Sequence, residues 1–123
     1  MLAELVFYLG FGLLTAHELD AVHKREWRLL FVLRRMREPL ARDVFVLAHV
    51  PLVAGLVWLL ASPDAAVRLA TVLILDGFMV IHAGLHWRLS DHPLYEFQSL
   101  PSRLLIYGAA VCGLLHPLLL VLG

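Results

Sequence analysis

The chain has 123 residues, 61% hydrophobic and 16% charged, with a mean hydropathy of +0.82. A soluble domain carries about 45–50% apolar residues and roughly 25% charge, and a chain this short has too much surface to hide such an excess, so an ordinary soluble globular protein is excluded. The formal net charge of +0 excludes a generally basic nucleic-acid binder, and the single cysteine, Cys112, excludes an internal disulfide framework or a cysteine-rich zinc module.

A membrane-spanning helix needs about 20 mostly apolar residues. Residues 2–22 supply the first such run, with His17, Glu18 and Asp20 in its last turns. A cleaved signal peptide is the poorer reading, because Met1-Leu2-Ala3-Glu4 places no positive charge ahead of the apolar stretch. Residues 44–61 are the second span, 65–87 the third and 102–122 the fourth. Pro51 and Pro117 fall inside spans, where neighbouring helices absorb kinks. Trp27, Trp58 and Trp87 fall at expected helix ends, where indoles prefer the headgroup zone. The expected architecture is all-α: one integral membrane domain over 1–123, a four-helix bundle.

Lys24, Arg25, Arg28, Arg34, Arg35, Arg37 and Arg42 all lie between the first and second spans; Arg68 alone follows the second, and Arg88 and Arg103 follow the third. The positive-inside rule then places the first and third connections in the cytoplasm. A multi-pass protein of a bacterial inner (cytoplasmic) membrane, both termini outside, is expected. Over 24–36 the basic residues Lys24, Arg25, Arg28 and Arg35 map to one side of a helical wheel and Trp27, Leu29, Leu30, Leu33 and Met36 mostly to the other. This basic amphipathic segment is expected to lie in the membrane surface, with anionic lipid headgroups as partners along 24–42. It serves at least as a topology signal and anchor. A second copy of the chain is a further expected partner; nucleic acid is not.

Seven histidines are the compositional oddity of so apolar a chain. Ionisable groups inside a span are costly and usually face the bundle interior. With about 1.5 Å of rise per residue, His17 and His23 on the first helix, His49 on the second, and His82 and His86 on the third reach one level near the cytoplasmic end. His82 and His86 are i and i+4, on a single helix face that can chelate one ion. His17, Asp20 and His23 follow at i+3 steps. The expected metal ligands are His17, His49, His82 and His86, with Asp20 or Glu18 as a further ligand or a catalytic base. Imidazole and carboxylate suit a divalent transition metal, zinc or iron in the first place. Alternatively the same groups form a buried hydrogen-bonded network in a non-catalytic scaffold or accessory subunit.

Other polar residues read more plainly. His23 and His92 suit interfacial hydrogen bonds, and His116, near the outer end, suits a structural role. Asp76 lies deep, either as a structural acceptor for Tyr or Thr of another helix or as a proton-accepting group in the site. The third connection, from Ser90 to Ser99, either caps the cluster with Asp91, His92 and Glu96 or merely stops a helix at His92-Pro93. Ala109 and Gly113 make a small-xxx-small step suited to close helix packing.

The stretches His17-Glu18-Leu19-Asp20-Ala21-Val22, Glu26-Trp27-Arg28, Leu47-Ala48-His49-Val50-Pro51 and His92-Pro93-Leu94-Tyr95-Glu96-Phe97 resemble an uncharacterised family of small bacterial four-helix membrane proteins. That resemblance covers nearly the whole chain and implies a membrane fold. A looser likeness is to membrane desaturases and hydroxylases, whose histidine boxes hold two irons. The chain departs from them in having HxxxH but no HxxHH. Zinc-dependent intramembrane lipid hydrolases, with three histidines and an Asp, are similar in chemistry alone. Together these readings lead to an expected metalloprotein, one that as an enzyme would act on a lipid-like substrate.

Overall fold

A computed structural model describes residues 1–123. Four helices carry the fold: α1 (Leu2–His23), α2 (Glu38–Leu60), α3 (Ala65–Arg88) and α4 (Leu100–Leu122). All four are long and apolar enough to cross a membrane, and there is no strand. Leucine side chains stand exposed along every helix, with valine, isoleucine or phenylalanine among them, as the lipid-facing surface of a membrane bundle requires.

The helix ends follow their local chemistry. Pro39 and Pro101 sit in the first turns of α2 and α4, where a missing N–H costs nothing. Asp64 caps α3, its side chain accepting from the Ala66 and Val67 amides at 2.8 and 3.4 Å. Ser99 caps α4 by accepting from Ser102 N at 3.3 Å. Both α2 and α4 run on through Pro51 and Pro117.

Helices α1 and α4 pack closely, as do α3 and α4, while α2 rests on α3 and on the connection that precedes it. Glycine permits the closest approaches: a Cβ on Gly113 would stand 2.7 Å from the Asp76 carbonyl oxygen, and one on Gly10 would stand 2.6 Å from the Cys112 Cβ. Ala109 and Gly113 are both buried, so the small-residue step is used inside the bundle. The larger apolar core lies at one end, where Ala21, Trp27, Phe45, Tyr95, Phe97 and Ile106 come together. Leu14, Met79 and Ala109 form a second, smaller cluster.

The connection from α1 to α2 departs from the helical wheel of the sequence reading. It folds as two short 3-10 turns, Glu26–Arg28 and Leu33–Arg35, separated by irregular chain. Arg25 ends any continuation of α1 by adopting a left-handed conformation, φ 57°, and this turns Glu26 and Trp27 inward. Trp27 is therefore a core residue rather than an interfacial anchor; its ring lies 5.8 Å from that of Phe45. Burial of one indole and one carboxylate against the bundle outweighs the regularity of an amphipathic surface helix. Trp58 and Trp87 remain exposed at their helix ends.

Candidate metal centre

The inward turn after α1 brings a carboxylate to three histidines. His17 lies one and a half turns before the end of α1, and His82 and His86 occupy successive turns of α3. Glu26 closes the group from the connection. One ligand atom from each of these four residues lies within 4.8 Å of every other. His17 Nε2 is 2.8 Å from His82 Nε2 and 3.2 Å from Glu26 Oε2. Glu26 Oε2 is 3.6 Å from His86 Nε2, and Glu26 Oε1 is 4.0 Å from His82 Nε2. Ligand atoms around a tetrahedral zinc sit about 3.3 Å apart, given bonds of about 2.0–2.1 Å. The observed separations bracket that spacing.

Burial sharpens the meaning of this geometry. His17 is fully buried, and His86 and Glu26 are buried; His82 is the accessible member, its side chain 14% exposed. Burial by itself disfavours a charged Glu26, but the imidazoles of His17 and His86 overcome it and hold its pKa at about 2. A buried carboxylate that stays ionised needs positive charge beside it. Glu26 Oε2 nevertheless lacks a properly aligned hydrogen-bond partner, and buried orphan polar atoms are rare in folded proteins. A divalent cation among these donors would satisfy the carboxylate and three imidazole lone pairs together, so the donor set fits a metal.

A second layer orients the ligands. His86 Nδ1 lies 3.1 Å from the Tyr95 hydroxyl. With Nδ1–H donating to that oxygen, Nε2 turns its lone pair into the cluster, where a cation could take it, the arrangement by which outer partners set a ligand tautomer. Burial pushes the Tyr95 phenol up to about 12, so it stays protonated. Phe97 packs on both His17 and His86, ring centroids at 5.5 and 4.7 Å. The third connection thus caps the cluster, through Tyr95 and Phe97. Glu96 instead faces Arg25 and Arg28 at 4.0 and 3.7 Å, and His92 accepts from its own chain, Leu94 N, at 3.1 Å.

Residues 3–122 match the model of the DUF6713 family, a family of unknown function. The chain belongs to the DUF6713 family. No curated protein and no solved structure matches it. The expected uncharacterised family is thereby shown.

The remaining candidate residues of this DUF6713 protein separate into three groups. His17, His82 and His86 come together as described, whereas His49 stands apart from them. Its Nδ1 donates to the Phe45 carbonyl at 2.7 Å and its Nε2 meets Glu18 Oε2 at 2.8 Å. This pair is the polar link between α1 and α2, and it is partly open, with side chains 27% and 30% exposed. Asp20 turns to α4, where its Oδ2 accepts from Ser102 Oγ at 2.6 Å and Ser102 accepts in turn from Ser99 Oγ at 2.9 Å. Asp20 thus ties the end of α1 to the start of α4. At the far end, Asp76 accepts from His116 Nδ1 at 2.6 Å, both buried.

Glu26 and Tyr95 were not singled out from the sequence as site residues. Glu26 carried one available signal: it is one of three acids in a connection of seven basic residues, directly after the helix that bears His17. Tyr95 had no such mark; only the fold places it on His86.

Proposed function

We infer that this protein is a membrane metalloprotein whose centre is held by His17, Glu26, His82 and His86, with zinc or iron as the bound cation. The observation that carries the reading is the convergence of three imidazoles and one carboxylate within 4.8 Å at a largely buried position. Three nitrogens and one oxygen are the donors that both cations accept.

The finer reading is a metal-dependent enzyme acting on a lipid-like substrate. A bound cation of this class supplies Lewis-acid polarisation and activation of water or oxygen. The chain's own residues support access from the membrane. Among the four ligands His82 has the greatest exposure, and the partly open Glu18–His49 pair lies on the helices flanking the α1–α2 gap. A polar pair exposed at membrane depth is costly and is well placed to hydrogen-bond the head of an amphiphile and to hold a proton there. Orientation follows the basic connection: 24–42 on the cytoplasmic side, both termini outside. In that connection Leu30, Phe31 and Val32 are exposed, and the Arg34 and Arg35 guanidinium carbons lie 5.1 and 4.4 Å from the Phe31 ring centroid. Such a tip suits insertion among anionic headgroups.

Elemental analysis tests the metal reading, on protein purified without immobilised metal. Wild type is expected to carry stoichiometric zinc or iron, and His17→Ala, Glu26→Gln, His82→Ala and His86→Ala are each expected to lose it. His49→Ala and His116→Ala should keep it. Wild type free of stoichiometric metal would overturn the reading and favour the polar-network scaffold, which the 2.8 Å His17–His82 contact can close by itself.

A further inference from the structure

A separate cleft of about 510 Å³ opens where α3 ends and α4 begins, a volume within the usual range for small-molecule sites. Trp87, Tyr95, Phe97 and Tyr107 line it, together with Asp91 and Arg103. Trp87 is exposed, Tyr107 half-buried, and Tyr95 and Phe97 are buried. The cleft therefore has an aromatic floor and an aromatic rim, at the level where tryptophan and tyrosine meet lipid headgroups.

Its charges are the telling feature. Asp91 and Arg103 share this cleft, yet they form no ion pair with each other or with any other residue. Opposite charges on a wet surface that stand apart leave room for a ligand carrying both signs.

We propose that this cleft binds the headgroup of a phosphatidylethanolamine-type lipid, phosphate on Arg103, ammonium on Asp91, with the acyl chains in the surrounding bilayer. Arg103 provides planar N–H donors suited to a phosphate. Asp91 accepts from a primary ammonium, which a quaternary choline cannot offer, and the aromatic rings add cation–π attraction. The buried Tyr95 hydroxyl belongs to both places: it bounds the cleft and holds His86. The lipid site stands independently of the metal reading, because neither Asp91 nor Arg103 belongs to the metal centre.

Native mass spectrometry of the detergent-solubilised full chain decides it, with chain-matched phosphatidylethanolamine, phosphatidylcholine and phosphatidylglycerol as probes. Wild type should retain one phosphatidylethanolamine about tenfold more tightly than either other lipid, the worth of one hydrogen bond to a charged group. Arg103→Gln should lose affinity for all three. Asp91→Asn should lose the preference for phosphatidylethanolamine over phosphatidylglycerol while still binding phospholipid. Arg68→Gln, at the opposite end of α3, should change none of this. Equal retention by wild type and Arg103→Gln would overturn the proposal, as would an unchanged preference in Asp91→Asn. Displacement of the lipid by equimolar free phosphoethanolamine would also overturn it, since the acyl chain would then contribute nothing. Asp91 and Arg103 are exposed, so both variants should fold, and circular dichroism checks that they do. Metal content measured on the same samples separates failure here from failure of the metal reading.

Discussion

At the scale of single residues, two histidine pairings differ in kind. His17 and His82 approach nitrogen to nitrogen beside a carboxylate, the geometry on which the proposed metal centre rests. His116 and Asp76 form an isolated pair at the other end, with the Phe7 ring 5.2 Å from His116, and Asp76 Oδ1 is already without a partner. His116→Ala would leave the whole carboxyl group unpaired. The expected loss is between about 0.6 and 1.7 kcal/mol, the average and upper values for hydrogen bonds between membrane helices. Thermal unfolding in detergent measures it, and unchanged metal content in the same variant shows that the two ends of the bundle act separately.

Elements of the fold succeed or fail on how closely they approach. Gly113→Ala would push a methyl group to 2.7 Å from the backbone of α3, and Gly10→Ala would drive one to 2.6 Å from Cys112. Each should destabilise by about 1–3 kcal/mol, the usual cost of overpacking. Gly12→Ala meets nothing within 4 Å and should stabilise by up to about 1 kcal/mol, the helix-propensity difference. If Gly113→Ala proved as harmless as Gly12→Ala, the close packing of α3 on α4 would be wrong. The connection between α1 and α2 depends on charge instead. Arg28 grips Glu38 through two nitrogens at 2.7–3.1 Å, two residues from the Glu26 that the site requires. Arg28→Gln is expected to weaken metal binding by no more than about fivefold, because exposed ion pairs contribute little. Hydrogen exchange in residues 24–37 should rise in the same variant, and an unchanged rate would show that the pair does not hold the connection.

For the whole molecule, the proposed orientation has a direct test. Reporter domains fused at either terminus should be active only on the outer side of the membrane, and a cysteine placed in the exposed tip at Val32 should react only from the cytoplasm. A terminal reporter found inside would reverse the topology and move the Trp87–Arg103 cleft to the opposite leaflet. The bundle itself is asymmetric. Helices α1, α3 and α4 enclose the buried polar pairs, while α2 is held at its start by Phe45 and Ala41 and along its length mainly by α3. Lipid covers the rest of α2, and this looser packing leaves the Glu18–His49 pair partly open.

Sequence alone determined the four spans, since length and hydropathy decide whether a helix can cross a membrane and need no knowledge of neighbours. The HxxxH pair of α3 was equally legible, because helical periodicity puts His82 and His86 on one face whatever surrounds them. Level along the membrane could be counted from the helix ends, and that counting brought His17 to the right depth. Direction around each helix could not be counted. His49 shares the level of His17 but meets Glu18, and Asp20, three residues from His17, turns to Ser102. Which way a helix faces is set by packing between helices, through contacts such as Gly113 on α3 that no local pattern encodes. The fourth member of the cluster, Glu26, depends on a break in regular structure at Arg25 that the amphipathic pattern over 24–36 argued against. Tertiary structure decided that point because burying Trp27 against Phe45 and pairing Glu26 with three imidazoles stabilises the inward turn more than a surface helix would.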